Sequence, residues 1–400
     1  MLKIPPRFKQ ILNKDPKMAG VVMQTMADFG EILEENKLYF FEEYTDHGIR
    51  HIQSVLDFSE VLIQEKTWSI LRKTPQTVGI YMLAVILHDL GMHITCEGLH
   101  ALIQGRNDGI RIKSLDNKTW KELWEKYLDE ARRFGDKEKT NIIGNKNWNF
   151  RTVDLDNKEK LPEPEDRKLI GEFVRRYHPR LAHEFAINGF PAIAENIPFA
   201  TGLKEELRDI CGLIARSHGM EIRDTFDVLE DKFDEGWIRP YNIEVVFLMV
   251  VLRIADYCQI DASRVSAISL RLKNFRSPIS RTEHYKHEDT PYTQKSPKDP
   301  ETLLFYCRPR NSLIFIKLKD LFQSLQQELD RSWAILGEIY GKEQGKWSPC
   351  IKYRRVRSNI DTPSKFYKNV NYVPERINFA ISSDFSKLLI KPLYGNSPTY

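Results

Sequence analysis

The residues of this 400-residue chain that are best suited to do chemistry are histidines and aspartates at or near the ends of predicted helices. Imidazole nitrogens and carboxylate oxygens are the ligands with which proteins hold divalent transition-metal ions. Five histidines and two aspartates form this set: His47, His51, His88, Asp89, His178, His218 and Asp256. Packing alone does not account for so many ligand-type side chains at helix ends, and they predict a metal site.

Asp89 and Asp256 carry the strongest argument for a cation. Each stands at or near the end of a segment, 80–91 or 245–256, that is apolar around its whole circumference and therefore belongs inside a domain. A carboxylate there loses its hydration and lies at the negative end of the helix dipole. A metal ion would compensate both aspartates, whereas Arg253, one turn before Asp256, offers that residue an ordinary ion pair instead.

The spacing of the histidines predicts how they point. His47 and His51 are four residues apart and share one helical face if the helix has already begun. His178 precedes Pro179, and proline suits the first position of a helix, so His178 is predicted at a helix start. His183 follows five residues later, on the order of 140° around the helix, and is not expected to face the same ion as His178.

Positioning these residues requires a mainly α architecture over the first 270 residues, where helical periodicity prevails and strand-like alternation is almost absent. The predicted helices lie near 51–65, 77–90, 118–133, 165–177, 179–190, 203–218 and 241–258. The polar, charged stretch 105–164 is expected to be a helical insertion or lid over the core.

The sequence changes in character after residue 270. The polar, proline-containing segment 271–300 is predicted to be a linker, and residues 301–400 are predicted to form a small α+β unit. This unit is expected to contain a hairpin of strands 303–307 and 312–316, a helix from about 319 to 340, and a strand that begins at Cys350.

Composition excludes several classes of protein. With 41% hydrophobic and 29% charged residues, the chain can bury a sizeable core and is neither disordered nor collagen-like. Its apolar runs fall far short of the roughly 20 residues of a membrane span, and its first residues lack the apolar region of a signal peptide. The five cysteines form no C-x-x-C pair. We therefore expect a cytoplasmic protein without a membrane partner.

The net charge of +4 conceals an asymmetry. Residues 271–400 hold 23 Lys and Arg against 13 Asp and Glu, a balance of +10, which leaves −6 for the first 270 residues. The basic part favours an anionic partner, with a solvated basic face as the simpler alternative.

Taken together, the segments that carry these ligands resemble the HD superfamily of metal-dependent phosphohydrolases over about residues 40–270. His51-x-x-x-Val55 is similar to the first ligand motif of that family, His88-Asp89-Leu-Gly to its paired motif, and Arg253-Ile-Ala-Asp256 to its closing aspartate. Tyr177-His178-Pro179 and Arg216-Ser-His218 resemble the additional histidines of HD proteins that bind two metals, among them the HD-GYP phosphodiesterases. Met92 stands where HD-GYP proteins have a lysine, so the resemblance does not imply that this chain hydrolyses cyclic dinucleotides.

The resemblance implies an HD-type helical bundle that hydrolyses a phosphate ester or anhydride, of a nucleotide or short oligonucleotide, with two divalent metal ions. It does not distinguish manganese, iron, magnesium, nickel and zinc. One ion would be held by His51, His88, Asp89 and Asp256. Asp89 would bridge to a second ion held by His178 and His218.

His47 is the candidate acid. Its spacing from His51 is similar to the Tyr-His-Asn-x-x-His element of cyclic-nucleotide phosphodiesterases, in which the first histidine protonates the leaving oxygen. The chain has Asp46-His47-Gly48 without the asparagine, but an acid needs only an imidazole near the leaving group. His47 and Asp89 are thus predicted to be catalytic. The candidate phosphate contacts, with solvated helix faces as the alternative, are Arg50, Arg175, Arg176 and Arg180.

A second, narrower resemblance lies at the C-terminal end. Residues 387–400 are similar to the segment that leads into the ATP-binding domain of GHKL-class ATPases, as in proteins where an HD domain precedes a chaperone-like ATPase. The chain stops before the Glu/Asn-bearing helix of such a domain, so we expect a fragment, with a natural C-terminus as the alternative. The expected partners are a phosphate-containing small molecule or short nucleic acid, and an ATPase domain or protein bound through the C-terminal unit.

Three other functions stay open from the sequence. The HD core could sense a nucleotide or support an ATPase without turnover, it could act as a nuclease, or a di-iron HD site could serve oxygen chemistry. A small substrate is favoured over long nucleic acid because the acidic first 270 residues would repel a long polyanion.

Overall fold

The protein is mainly helical, as the sequence predicts, with a small sheet near its C-terminal end. The computed structural model describes residues 2–35, 38–105, 115–151, 153, 162–260, 262–265, 275–341, 348–362, 366 and 370–372. The helices in these residues are α1 Pro6–Leu12, α2 Pro16–Glu35, α3 Ile49–Leu62, α4 Glu65–Leu71, α5 Pro75–Leu87, α6 Cys96–Ile103, α7 Trp120–Ala131, α8 Asp136–Glu138, α9 Pro164–Asn188, α10 Glu205–Arg216, α11 Asp224–Phe233, α12 Val245–Tyr257, α13 Pro278–Glu288 and α14 Ser312–Tyr340. Short 3-10 turns, Leu90–His93 and Ser217–Gly219, follow α5 and α10.

Two helices without a polar face form the centre of the fold. Helix α5 is buried at every position from Thr77 to Leu87, and α12 is buried from Val245 to Leu252. Such helices must be covered on all sides. Helix α10 packs against α5, α9 and α12, while α3 packs against α12 and α5. The C-terminal ends of α5 and α12, which carry the predicted metal ligands, are thereby brought into the core.

The prediction of separate helices at 165–177 and 179–190 is wrong, because α9 runs from Pro164 to Asn188 with Pro179 inside it. His178 therefore lies within a helix rather than at a helix start. Proline lacks the N–H that would bond the carbonyl four residues back, which is costly inside a helix. The helix continues because its C-terminal half, from Pro179 to Ala186, is buried and packs against α10.

The sheet has the order β1, β2, β3, with strands Tyr292–Lys295, Thr302–Tyr306 and Arg355–Ser358. β1 pairs antiparallel with β2, and β2 pairs parallel with β3. The prediction of a strand at 312–316 is wrong, because these residues begin α14. Asn311 caps this helix by accepting a hydrogen bond from the backbone N–H of Ile314 at 3.0 Å, a local signal that outweighs the strand-like composition.

The segment predicted to be a linker, 271–300, is structured where it is described. Ser277 caps α13 and Pro278 takes its first position, which is the arrangement these residue types favour. Strand β1 also lies in this segment. The domain boundaries at 270 and 300 themselves stay a prediction.

The predicted insertion, 105–164, is helical in its described part, which contains α7, α8 and a π turn over Lys139–Ile143. Residues 106–114, 152 and 154–161 lie outside the described residues. Among the helices that the structure describes, no single one is long and apolar enough to cross a membrane. The bent pair Pro75–His93 and Cys96–Ile103 reaches that length and composition only when taken together.

Candidate metal centre

A first group of possible ligands consists of His51, His88 and Asp256, from three different helices. The Nε2 atom of His51 lies 3.2 Å from His88 Nε2 and 3.2 Å from Asp256 Oδ1. His88 Nε2 lies 3.9 Å from the same carboxylate oxygen. Both imidazoles are buried, whereas the Asp256 side chain is partly exposed, so these three atoms face one another at the edge of the core.

A second group consists of Asp89, His178 and His218. His178 Nε2 lies 2.8 Å from His218 Nε2, and Asp89 Oδ1 lies 3.6 and 3.9 Å from these two nitrogens. The other carboxylate oxygen, Oδ2, lies 3.2 Å from His51 Nε2 and 3.4 Å from His88 Nε2. One oxygen of Asp89 thus faces each group, which is the geometry of a bridging carboxylate. All six predicted ligands therefore come together, and their role as ligands stays a prediction.

Five of these six side chains lie at or just beyond the end of a helix that packs in the core. His51 lies in the first turn of α3, and Asp256 in the last turn of α12. His88 and Asp89 directly follow the last turn of α5. His218 lies in the 3-10 turn that extends α10. Only His178 comes from the interior of a helix.

Two glycines allow α9 to approach the turns after α5 and α10. A Cβ atom on Gly91 would lie 2.8 Å from the carbonyl oxygen of His178, and one on Gly219 would lie 2.2 Å from Cγ of Pro179. Any larger residue at either position would push α9 away. The glycine of the His88-Asp89-Leu-Gly motif therefore sets the distance between the two groups.

Three of the four histidines predicted to be ligands are oriented in the same way. The Nδ1 atoms of His88, His178 and His218 lie 2.7, 2.8 and 2.5 Å from the carbonyl oxygen three residues earlier in each case. A carbonyl oxygen can only accept, so each Nδ1 carries the hydrogen and donates it. In a neutral ring the Nε2 atom is then bare and offers its lone pair to the centre.

Pro179 contributes to this orientation of His178. The carbonyl of Arg175 would ordinarily accept from the N–H of residue 179, but proline has none. That carbonyl accepts instead from Nδ1 of His178. The proline inside α9 thus frees the acceptor that fixes the tautomer of His178.

Charges in the first group compensate one another. Burial disfavours a charged His88, but Asp89 and Asp256 outweigh burial and raise the pKa of His88 to about 9. Burial alone would raise the pKa of Asp89, yet His88 and the hydrogen bond from His51 hold it well below its usual range. The pKa of Asp256 is lowered in the same way, chiefly by His51. At neutral pH a proton therefore balances the carboxylates, and a cation that binds there must displace it.

The donor set of the second group fits a divalent transition-metal ion. Burial lowers the pKa of His178, and burial together with His178 and His88 lowers that of His218 to about 3. Both rings are therefore neutral, with their hydrogens on Nδ1, and their bare Nε2 atoms face each other at 2.8 Å. Two facing lone pairs repel unless a cation lies between them, and imidazole nitrogen with carboxylate oxygen is a set that manganese, iron, nickel or zinc accepts.

Arg253 does not take the role of counter-ion to Asp256. Its Nε atom lies 2.5 Å from Oε1 of Glu328 in α14. Its Nη1 atom donates to the carbonyl oxygens of Ser217 and, at 2.6 Å, of Met220. The ordinary ion pair that the sequence left open is therefore replaced by contacts with Glu328 and two backbone carbonyls.

A cavity of about 590 Å³ opens onto the second group, where Asp89, His178 and Met92 line it. His47 lines the same cavity and donates from Nδ1 to the carbonyl oxygen of Thr45 at 2.8 Å, so its Nε2 is available. Burial, followed by Arg264, lowers the pKa of His47 to about 3. The ring is thus neutral at pH 7 and must first take up a proton before it can donate one.

Of the four arginines predicted to contact phosphate, only Arg175 lines the cavity. Its guanidinium forms two hydrogen bonds with Glu172, at 2.7 and 2.9 Å. Arg50 is exposed, with 80% of its side chain accessible and only a 3.7 Å contact to Asp46. Neither Arg50 nor Arg176 is among the residues that line the cavity.

Arg180 is not brought to the cavity either. It is buried, pairs with Glu184 at 2.8 Å and stacks over Trp120. It lies two residues after His178, about 200° around the helix, and so points to the opposite side.

Sequence reasoning missed several residues of the cavity wall. On α9 it missed Lys168, Gly171 and Glu172, which line the cavity together with the predicted Arg175 and His178. All five follow the spacing of one helical face. All of these except His178 lie within the helix predicted at 165–177, but which of its faces lines a cavity depends on contacts with segments that are distant in sequence. Helix α13, placed in a predicted linker, contributes further lining residues: Ile279, Ser280, Glu283 and His287.

His183 does not replace His178 as a ligand. Its Nε2 atom lies 2.7 Å from Asp209 Oδ1, on α10 and away from both groups. Burial lowers the pKa of His183, so the neutral ring donates to the carboxylate while Lys232 supplies the opposite charge.

Comparison with known proteins identifies the family. A family model described as HD-CE matches residues 41–331, which include all six ligand-type side chains, His47 and every lining residue of the cavity except Phe40. No curated protein and no solved structure matches the chain. Because the match covers well over half of its length, the chain belongs to the HD-CE family.

Proposed function

We propose that this protein hydrolyses a phosphate ester or anhydride of a nucleotide or short oligonucleotide with two divalent metal ions. The observation that carries the proposal is Asp89, whose two carboxylate oxygens face two separate groups of histidine nitrogens. Divalent ions in such a site acidify a water molecule and neutralise charge that develops on phosphoryl oxygens. The HD-type domain and the buried His and Asp groups agree with this chemistry.

His47 is proposed to carry the proton that the departing oxygen needs. Thr45 fixes its ring through Nδ1, so Nε2 is the atom that exchanges the proton. The ring is neutral on its own because of burial and Arg264. An anionic phosphate beside it would favour the protonated form. The ring would therefore become protonated when the substrate binds, and would then pass this proton to the leaving group.

The cavity wall favours a substrate with few charges beyond the reacting phosphate. Each cation that α9 contributes to the wall is paired with a carboxylate: Arg167 with Glu42 at 2.7 Å, Lys168 with Glu43 at 2.5 Å, and Arg175 with Glu172 at 2.7 Å. A long nucleic acid needs an uncompensated basic groove, and these pairs do not offer one.

The rest of the wall suits a nucleoside. Phe40, Phe41 and Tyr44 supply aromatic surface, and Met92 and Ile142 supply apolar surface. The volume lies within the range of roughly 300 to 1,000 Å³ that is usual for small-molecule sites. A mononucleotide, dinucleotide or cyclic nucleotide with one phosphate at Asp89 would therefore place its neutral part against these side chains.

Turnover with added manganese tests the proposal. The full chain would be assayed against mononucleotides, dinucleotides, cyclic nucleotides and long single-stranded DNA and RNA, with the His88→Ala/Asp89→Ala variant as control. We expect hydrolysis of a small substrate with shallow dependence on salt, and none by the variant. Rapid degradation of the long strands, falling steeply as salt rises, would instead indicate a nuclease. No turnover of any substrate would contradict the enzymatic role.

A second candidate function is regulation of an attached domain or partner, and Arg253 is the observation that favours it. This side chain joins α12, one turn before Asp256, to Glu328 of α14 and to the carbonyl of Ser217 beside His218. The metal centre is thereby linked directly to a helix of the C-terminal part. The GHKL-like segment 387–400 lies outside the described residues, and an ATPase attached there belongs to this proposal.

Hydrogen exchange in α14 separates the two functions. If the centre signals to the C-terminal part, manganese should slow exchange of amides around Glu328, and Glu328→Gln should abolish that change. Exchange in α14 that does not respond to manganese would count against regulation and leave the hydrolytic proposal unaffected.

A further inference from the structure

A buried ionic network lies behind the second metal group. Its four charged members are Asp116, Arg180, Glu184 and Arg216, each between 4% and 8% exposed. Two are cations and two are anions, so their formal charges cancel. None of the four is among the residues that line the cavity, and they have no part in the chemistry proposed above.

Asp116 is the member that holds the two helices together. Its carboxylate accepts two hydrogen bonds from Arg216 of α10, both at 2.7 Å. Its Oδ1 atom also lies 3.4 Å from Nε of Arg180 in α9. A single carboxylate from the segment before α7 thus contacts both helices that carry the second group.

The positions of these arginines relate the network to the ligands. Arg216 lies two residues before His218, and Arg180 lies two residues after His178. Arg180 is itself fixed by Glu184 at 2.8 Å, by the carbonyl oxygen of Lys118 at 2.9 Å, and by stacking over Trp120. Any rotation or slide of α9 against α10 would break these contacts and separate the two Nε2 atoms.

Physical chemistry favours a role in register over a role in stability. Burying ion pairs costs desolvation, and well-packed apolar residues often stabilise a fold equally well. A bidentate arginine and carboxylate pair, in contrast, fixes relative geometry closely. The facing lone pairs of His178 and His218 repel each other at 2.8 Å, so something must hold the two rings in place before an ion binds.

We infer that Asp116 is a positioning residue that sets the register of α9 against α10 and thereby assembles the second metal group. The inference rests on the proposed two-ion centre. It also assigns a role to the start of the insertion, for which composition offered none.

Manganese binding tests the inference without requiring turnover. Calorimetric titration of the full chain with Mn²⁺ should resolve two ions, and His218→Ala marks the step that belongs to the second group. We expect Asp116→Asn to weaken that second step about 10- to 100-fold, to leave the first step unchanged, and to remove the paramagnetic resonance signal of a coupled manganese pair. Arg216→Lys keeps the charge but loses the bidentate contact, and it should weaken the second step and remove the signal in the same way. This variant tests the inference if Asp116→Asn does not fold.

Asp209→Asn is the matched control. Asp209 also joins α9 to α10, through His183, but it lies away from the ligands, so both ions should bind to this variant with wild-type affinity. Equal loss of the second ion in Asp209→Asn, or retention of it in Asp116→Asn or Arg216→Lys, would overturn the inference. A wild type that binds fewer than two ions would overturn it together with the two-ion centre, whereas a lack of turnover would affect the proposed function alone.

Discussion

Replacement of Pro179 by alanine should make the protein more stable without metal and weaken its hold on metal. Proline inside a helix is about 3 kcal/mol less favourable than alanine. The ring packs against Gly219, and losing its two extra methylenes costs roughly 1.6 kcal/mol. The net gain should therefore be about 1 to 2 kcal/mol in the free energy of unfolding, measured in urea with a chelator present.

The effect on metal follows from the carbonyl of Arg175. An alanine at position 179 supplies the N–H that proline lacks, and this N–H competes with Nδ1 of His178 for that carbonyl. Loss of such an orienting partner typically weakens metal binding 10- to 100-fold, or about 1.4 to 2.7 kcal/mol. The metal-loaded variant should consequently gain little or no stability over the wild type.

The control for Pro179→Ala is Pro6→Ala. Pro6 stands at the first position of α1, where the missing N–H would have no helical partner. This variant should change neither unfolding with chelator nor manganese affinity. The reasoning fails if Pro179→Ala destabilises the protein in chelator while its manganese affinity stays at the wild-type value.

The other predictions concern ligands, the proton carrier and pH. His88→Ala/Asp89→Ala should strip metal because both groups lose an anion or a nitrogen; equal metal in variant and wild type by elemental analysis would contradict the ligand assignment. His47→Ala should keep its metal and lose about 10²-fold or more in turnover, whereas loss of metal would make His47 a ligand. Since the pKa of His88 is raised to about 9, manganese affinity should rise up to about tenfold per pH unit between pH 7 and 9, with one proton released in calorimetry; a flat profile would refute this. Burial raises the pKa of Asp209, but His183 and Lys232 outweigh it and lower this pKa to about 2, below the unfolded value of about 3.9. This carboxylate therefore adds stability above pH 4 that disappears as pH falls toward 2, and acid unfolding of Asp209→Asn should lack that component.

The sequence predicts the centre of this fold well because the decisive features are local. Segments without any polar face, such as 80–87 and 245–252, have to be interior helices, and α5 and α12 confirm it. A carboxylate that follows such a helix needs compensation, which is why Asp89 and Asp256 pointed to a metal site. Ser277-Pro278 was an equally local helix-start signal, readable in advance within the predicted linker.

What could not be read from the sequence depends on contacts between distant residues. A proline at 179 ordinarily ends a helix, and only packing of α9 against α10 keeps this one continuous. Arg180 resembles a phosphate contact until Asp116, far away in sequence, is found beside it. The cavity wall of α9 follows a face of the helix predicted at 165–177, but which face of that helix meets a cavity depends on the distant segments that complete the wall.

Three locally unfavourable features converge on the second group. Asp89 is a buried carboxylate just beyond a helix C-terminus, Pro179 interrupts the hydrogen bonds of a helix, and His178 and His218 point bare nitrogens at each other. Each would be selected against if the fold alone mattered, and natural sequences tend to break local rules where they have a function to perform. A bound cation would make two of these features favourable, since it attracts the carboxylate of Asp89 and the lone pairs of both histidines. The third feature, Pro179, leaves the lone pair of His178 correctly oriented. The unfavourable features are therefore parts of one site rather than independent defects of the bundle. Removing any of them should weaken metal binding and make the metal-free protein more stable.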